Sequence, residues 1–178
     1  SGEPDDRWGI TSRLGIVPGF KARKMLPDRK AIKVMSRDAQ LAVVAALEAC
    51  GTNPSATLGI DPGRFGAFGA AGYEAAALSD VLDMMVASRD SDDPCRLSIP
   101  KLYGDGRDAY HPLAPLKTLP NMALFHVGMS LGLRGPQLAL GSSAAAGIAA
   151  LGEACEALQY GEADAALVVA TDSMVGLS

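Results

Sequence analysis

Two serines, Ser142 and Ser143, lie at the junction between an apolar segment and a long helix-forming segment. Residues 137–140 are mostly apolar and short, which predicts a β-strand. Residues 144–160 are rich in Ala, Leu and Glu and contain no proline, which predicts a helix. The first backbone N–H groups of a helix have no intrahelical partner. A strand-to-helix elbow of this kind can therefore hold a nucleophile and polarise a carbonyl group.

The residues around the serines argue against a serine hydrolase. Residues 141–145 lack the second glycine of the G-x-S-x-G motif. Both histidines precede the serines, so no base follows them in the chain. We interpret His126, in a mainly apolar segment, as a packed and hydrogen-bonded residue and His111 as an exposed loop residue. The serines are then small residues that fill a crowded turn.

No metal site or cofactor motif is evident. The three cysteines, Cys50, Cys95 and Cys155, lack metal-type spacing and are interpreted as reduced thiols of a cytoplasmic protein. Gly104-Asp105-Gly106 is interpreted as a turn and not as a phosphate or metal site. No cofactor is expected.

The elements around the elbow predict an α/β fold. Gly161 ends the helix, and residues 165–170 form an apolar run of strand length that suits a sheet covered on both faces. A strand–helix–strand connection of this kind joins parallel strands. Upstream, Ser36 is a credible N-cap for a helix that Gly51 closes, and residues 64–71 predict another strand. Further helices are predicted over residues 75–88 and from Met122 through Leu131.

Length, composition and net charge limit the classes of function that the chain can have. The chain has 178 residues, 48% of them hydrophobic, and a formal charge of −4. This predicts one domain with a substantial core, no nucleic-acid binding and no membrane span. Half of the chain's 16 cationic residues lie in residues 1–35, which we predict to be a basic N-terminal arm. The polar, proline-rich residues 88–120 are predicted to be a long loop.

The region around the elbow resembles the nucleophile region of β-ketoacyl synthases, the condensing enzymes of fatty-acid and polyketide synthesis. The resemblance rests on Gly135-Pro136, Ala145-Ala146-Gly147 and Gly152-Glu153-Ala154, with a second match from Met35 into the following helix. It implies that residues 36–178 form a thiolase-like half-domain with a mostly parallel sheet and helices on both faces. The second half of the family fold and its two catalytic histidines are not in this chain.

The alignment places the family's active-site cysteine on Ala144. A methyl group cannot form a thioester, so no intact catalytic residue is expected. The resemblance makes Ser142, Ser143, Ala144 and Met122 candidates for the acyl pocket. It also places loop 88–120 over the pocket and against a partner. The strand that would pair with another subunit across a two-fold axis comprises Gln137, Leu138, Ala139 and Leu140.

Several functions remain open. The first is a ketosynthase-like protein that does not condense on its own and binds acyl thioesters or acyl carrier protein, as a homodimer or a heterodimer with a ketosynthase-like chain. The basic arm could attract the acidic carrier, although a solvated arm explains it too. The second is a truncated active ketosynthase carrying a Cys-to-Ala substitution. The others are a serine hydrolase and an assembly partner without a ligand.

Overall fold

A parallel sheet of three strands organises the chain. The computed structural model describes residues 17–72, 78–141 and 144–173. The strands are β1 (Phe65–Ala71), β2 (Gln137–Gly141) and β3 (Ala165–Thr171), and β1 lies between the other two. Phe65 pairs with Ala165 and Ala67 with Gln137 in parallel register. Every residue of β1 is buried, as a strand with neighbours on both edges and both faces requires.

Helices cover both faces of the sheet, as predicted. Alternate residues of β1 divide between two apolar clusters. On one face, Phe65 and Ala67 pack with α2 (Arg37–Cys50) and α7 (Met122–Leu131). On the other face, Phe68 and Ala70 pack with α8 (Ala146–Gln159). The contacts of α8 are made by the small side chains of Ala146, Ala150, Ala154 and Ala157, which let the helix lie close to the sheet.

Local signals set the ends of these helices. The Ser36 side chain accepts a hydrogen bond from the Ala39 N–H at 3.1 Å, which satisfies a free donor at the start of α2. Gly51 follows α2 with a φ of 73°, a backbone conformation that favours glycine. Both predicted ends of α2 are confirmed. Helix α8 begins at Ala146, two residues later than predicted.

An ion pair joins the starts of β1 and β3. The Arg64 Nε donates to Asp164 Oδ2 at 3.0 Å, and the Asp164 N–H donates to the Arg64 carbonyl at 2.8 Å. The hydrogen bond to Arg64 lowers the pKa of Asp164. Both side chains are largely exposed, so the backbone bond and the strand pairing, more than the charges, hold these ends together.

The described part of the basic segment packs on the domain. It contains α1 (Ala22–Met25) and a 3₁₀ turn (Ala31–Val34). Leu26 and Met35 are buried in the cluster on the α2 side of the sheet. The Arg37 guanidinium stacks 4.0 Å from the centre of the Phe20 ring. From Phe20 onward this segment is therefore part of the domain surface, although its charged side chains remain exposed.

The prediction of a long loop over residues 88–120 is correct only in part, because residues 88–98 lie in no helix or strand but short helical segments follow them. Two helices precede this region, α3 (Pro54–Leu58) and α4 (Leu78–Ala87). The region itself contains α5 (Ile99–Lys101), a kinked π-helical segment (Leu102–Gly106), α6 (Arg107–Ala109) and a 3₁₀ segment (Ala114–Thr118). Pro100 and Pro115 stand in first turns, where proline is tolerated because it needs no N–H. Prolines that suggested a loop therefore start short helical segments. Residues 75–77 of the predicted preceding helix lie outside the described residues.

The Lys101 side chain also orders this region. Its Nζ donates to the Arg89 carbonyl at 3.0 Å and to the Ser91 hydroxyl at 2.8 Å. Ser88 is fully buried, and its hydroxyl donates to the Met84 carbonyl at 2.6 Å. These bonds fasten the segment to the end of α4.

Gly135 permits the close approach of the chain to β1, and we expect its substitution to be costly. A Cβ atom there would lie 2.5 Å from the Phe65 carbonyl carbon and 2.8 Å from the Gly66 nitrogen. Because the obstacle is backbone, Gly135→Ala should lower the free energy of unfolding in urea by about 3 kcal/mol. A Cβ on Gly152, within α8, meets nothing within 4 Å. The matched Gly152→Ala variant should be stabilised by about 0.5–1 kcal/mol. Equal effects of the two variants would contradict this packing.

Candidate functional site

An open crevice lies where the carboxyl ends of the three strands meet the beginning of α8. Its volume is about 740 Å³, and Ala71, Gly141 and Thr171, the last residues of β1, β2 and β3, all line it. Open α/β sheets bind ligands at this edge because the loops that follow the strands diverge there. The topology therefore makes the crevice the candidate site.

Small apolar residues dominate the walls of the crevice. Two polar residues, Thr171 and Asp172, join a set of alanines, glycines and one proline: Ala70, Ala71, Gly72, Pro120, Gly141, Ala144, Ala146, Gly147 and Ala170. An apolar wall with few polar groups suits a ligand that is mainly hydrocarbon. The Thr171 hydroxyl donates to the Asp38 carbonyl at 3.3 Å, which links the end of β3 to the start of α2.

The elbow itself presents a methyl group to the crevice. Ala144 is exposed in the turn that leads into α8, and it lines the crevice together with Ala146 and Gly147. The first amides of any helix have no carbonyl four residues earlier within the helix, and such a helix start can stabilise negative charge that develops on an oxygen atom. Ala144 itself offers no nucleophile.

Of the four predicted pocket residues, the structure places Ala144 on the wall of the crevice. Ser142 and Ser143 lie outside the described residues. Met122 is half-buried near the start of α7 and does not line the crevice. The sequence analysis missed the walls formed by residues 70–72 and 170–172. Their position could have identified them, since each group lies at the end of a predicted strand, where the crevice forms.

The predicted interface strand lies at an edge of the sheet. Gln137, Leu138, Ala139 and Leu140 belong to β2, which pairs with β1 on one side. Within the part of the chain that the structure describes, no strand pairs with its other edge. The central residues of β2 are half-buried and its two ends exposed. Its pairing with another subunit stays a prediction.

The two histidines lie away from the crevice walls. His126 is 5% exposed, which confirms that it is packed, but its Nε2 has no hydrogen-bond partner among the described residues. The sequence analysis predicted a hydrogen-bonded histidine, and no such bond is observed at Nε2. His111 is exposed, as predicted, and its Nδ1 accepts a bond from the Leu113 N–H at 3.2 Å.

Metal-ligating side chains do not gather at the crevice. Across residues 17–72, 78–141 and 144–173, no three His, Cys, Asp or Glu side chains converge as a metal site would require. In the same residues, no helix has the length and apolar character needed to cross a bilayer.

The parallel sheet, the helices on both faces and the elbow at the strand ends define a thiolase-like α/β half-domain. The family described as "Beta-ketoacyl synthase, N-terminal domain" matches residues 20–177. The chain therefore belongs to the β-ketoacyl synthase family and represents its N-terminal half. No curated protein sequence matches the chain significantly.

Solved structures share this fold. One is a type II polyketide synthase acyl carrier protein in complex with its ketosynthase bound to the hexaketide, with a TM-score of 0.69 and 18% identity. The ishigamide ketosynthase/chain length factor has a TM-score of 0.57 and 23% identity. A β-ketoacyl synthase from Burkholderia phymatum STM815 has a TM-score of 0.58 and 21% identity.

The likeness extends over most of this chain and less than half of each neighbour. The alignments cover 90%, 90% and 82% of this chain, but only 41%, 40% and 32% of the respective neighbours. At these identities the structural likeness establishes the fold and not the activity.

Burial of His126 gives the protein a predictable pH dependence. Burial lowers its pKa, while the charge of Asp28 opposes the shift. Below about pH 6.5 this histidine is protonated in the unfolded chain, whereas burial disfavours its protonation in the folded chain. Above that pH, His126 should not reduce the free energy of unfolding. Below it, the free energy of unfolding should fall as the pH is lowered, by at most about 1.4 kcal/mol per pH unit.

Urea denaturation at a series of pH values measures this contribution. His126→Gln should remove part of the decline. Identical pH profiles for His126→Gln and the unaltered protein would contradict the assignment.

Proposed function

We propose that this chain is a ketosynthase-like protein that holds an acyl chain in the crevice and does not condense acyl groups on its own. The observation that carries the proposal is the methyl group of Ala144 at the elbow, on the wall of an apolar crevice of about 740 Å³. Condensation through an acyl-enzyme requires a nucleophile at this position. Without one, an acyl thioester binds there by burial of its hydrocarbon chain and by hydrogen bonds to its carbonyl group.

Different residues of the crevice bind the hydrocarbon chain and the carbonyl group of the thioester. The alanines and glycines at the strand ends give the hydrocarbon chain an apolar surface, which favours burial by about 25 cal/mol per Å² removed from water. The positive end of the α8 dipole favours the thioester carbonyl oxygen. Thr171 and Asp172 form the polar part of the wall. No residue in this arrangement forms or breaks a covalent bond.

The donor of the acyl group in this proposal is an acyl carrier protein. One structural neighbour is a ketosynthase in complex with such a protein. In this chain, the support comes from a set of exposed cationic side chains on the N-terminal segment: Lys21, Arg23, Lys24, Arg29, Lys30 and Lys33. Within the described residues, no ion pair engages them. This local positive surface, on a chain whose net charge is −4, suits an acidic protein partner.

Restoring a thiol at the elbow tests whether the crevice is an acyl site. In Ala144→Cys, the thiolate attacks the thioester carbonyl, the acyl group moves to Cys sulfur, and the donor thiol leaves. We expect intact-protein mass spectrometry to detect one acyl adduct on this variant after incubation with acyl carrier protein thioesters, and none on the unaltered chain. Ala149→Cys is the control, because Ala149 is exposed on α8 and does not line the crevice.

The same reaction tests the cationic surface. Combining Ala144→Cys with glutamate at Arg29, Lys30 and Lys33 should slow acylation from the carrier protein by tenfold or more, about 1.4 kcal/mol, at low salt. Acylation from a small acyl thioester should be unchanged. Acylation of the unaltered chain would reveal another nucleophile and contradict the proposal. Absence of an adduct on Ala144→Cys with either donor would favour an assembly partner without a ligand.

A further inference from the structure

Pro120 separates the crevice from two small cavities. Each of these has a volume of about 10 Å³, about enough for one water molecule, and each is lined by Ala71 and Pro120, as is the crevice itself. The three cavities thus share the end of β1 and one proline. Pro120 also packs closely on the elbow, because a Cβ on Gly141 would lie 3.3 Å from its Cγ.

The two small cavities differ in polarity. One is lined by Ser36, Asp38, Lys117 and Thr118, so it suits water or another polar group. The other lies between the sheet and α7. Apart from Thr171, its lining is apolar, and it includes Ala123, Leu124, Ala139 and Val169. A hydrocarbon chain that passed Pro120 would therefore enter the second of these, which we call the α7 cavity.

Leu124 keeps the α7 cavity small. It is 5% exposed and lies over Gly69 of β1, so that a Cβ added to that glycine would be 3.0 Å from Leu124 Cδ1. The leucine side chain fills the space that glycine leaves above the sheet. Removing its three outer carbons would enlarge this cavity, which shares Ala71 and Pro120 with the crevice, on the side of the sheet opposite α8.

We propose that Pro120 and Leu124 limit the length of the hydrocarbon chain that the crevice accepts. The inference rests on the proposed function, since it assumes that an acyl chain enters the crevice. The thioester end lies at the elbow, and the far end of the chain passes along Ala70 and Ala71 towards Pro120. Leu124 then closes the path. Length is thus set by a side chain of α7 that does not itself line the crevice.

A homologous ligand series measures this limit. The probes are N-acetylcysteamine thioesters of straight saturated acids, from butanoyl to tetradecanoyl, titrated calorimetrically into the full chain. In the unaltered protein, affinity should rise about fourfold for each added methylene, the equivalent of about 0.8 kcal/mol, until the chain reaches the wall that Pro120 and Leu124 form. Beyond that length it should fall.

Leu124→Ala should move the preferred length upward by roughly three carbons, the number that the substitution removes. Pro120→Ala is the second variant, because it opens the partition without creating a cavity under α7. It should move the preferred length in the same direction by at least one carbon. Leu131→Ala is the matched control: Leu131 is equally buried on α7 but lines none of the three cavities, so its variant loses stability without changing the preferred length.

The outcomes separate the inference from the function on which it rests. If the unaltered protein binds the series but neither Leu124→Ala nor Pro120→Ala changes the preferred length, the length limit lies elsewhere and the inference is overturned. A shift in Leu131→Ala equal to that in Leu124→Ala would also overturn it, because general loosening would then explain the result. If no thioester binds the unaltered protein, the proposed acyl site is overturned, and the inference with it.

Discussion

Burial of β1 on both faces and both edges is the constraint on which the rest of the structure depends. Each of its seven residues is buried, so each must meet a close-packed neighbour. Small residues make this possible. Glycines and alanines of β1 admit Leu124 on one side and the alanines of α8 on the other. The close packing of α8 brings its first turn to the strand ends, and that position creates the crevice.

The same preference for small residues shapes the chemistry of the site. Alanines and glycines at the elbow and along the strand ends leave an apolar crevice with the start of α8 at one end. Ala144, on which the sequence resemblance places the family's cysteine, presents a methyl group to this crevice. In the function we propose, binding without covalent capture depends on hydrocarbon burial and on a few polar contacts. For this reason the shape of the walls matters more than any single functional group.

The sequence was most informative where side chains act locally. The Ser36 cap, the glycine after α2 and the unbroken composition of α8 predicted these elements correctly, because caps and helix propensity depend on nearby residues. The three strands and their parallel direction were also predicted, since the apolar runs and the crossover helix restrict the topology, but the position of β1 between β2 and β3 was not. The resemblance to β-ketoacyl synthases located Ala144 at the elbow, on the wall of the crevice.

Contacts between residues distant in the chain could not be predicted from the sequence. Nothing in the order of residues 88–120 shows that Lys101 bonds back to the Arg89 carbonyl, or that prolines there begin helical turns. Met122 matched the family pattern, but α7 places it off the crevice wall, where Pro120 lies instead. The missing partner of His126 Nε2 likewise depends on neighbours distant in the chain. Such features are set by how elements pack, which local propensity does not encode.

The central claim is that the crevice at the elbow holds an acyl chain reversibly. The most direct test is the calorimetric affinity for decanoyl N-acetylcysteamine in the unaltered protein, Ala144→Trp and Ala149→Trp. A tryptophan at Ala144 occupies the crevice, whereas one at Ala149 projects from the exposed side of α8. Our account predicts binding to the unaltered protein without a change in protein mass, at least tenfold weaker binding to Ala144→Trp and unchanged binding to Ala149→Trp. Equal affinity of all three proteins would contradict it.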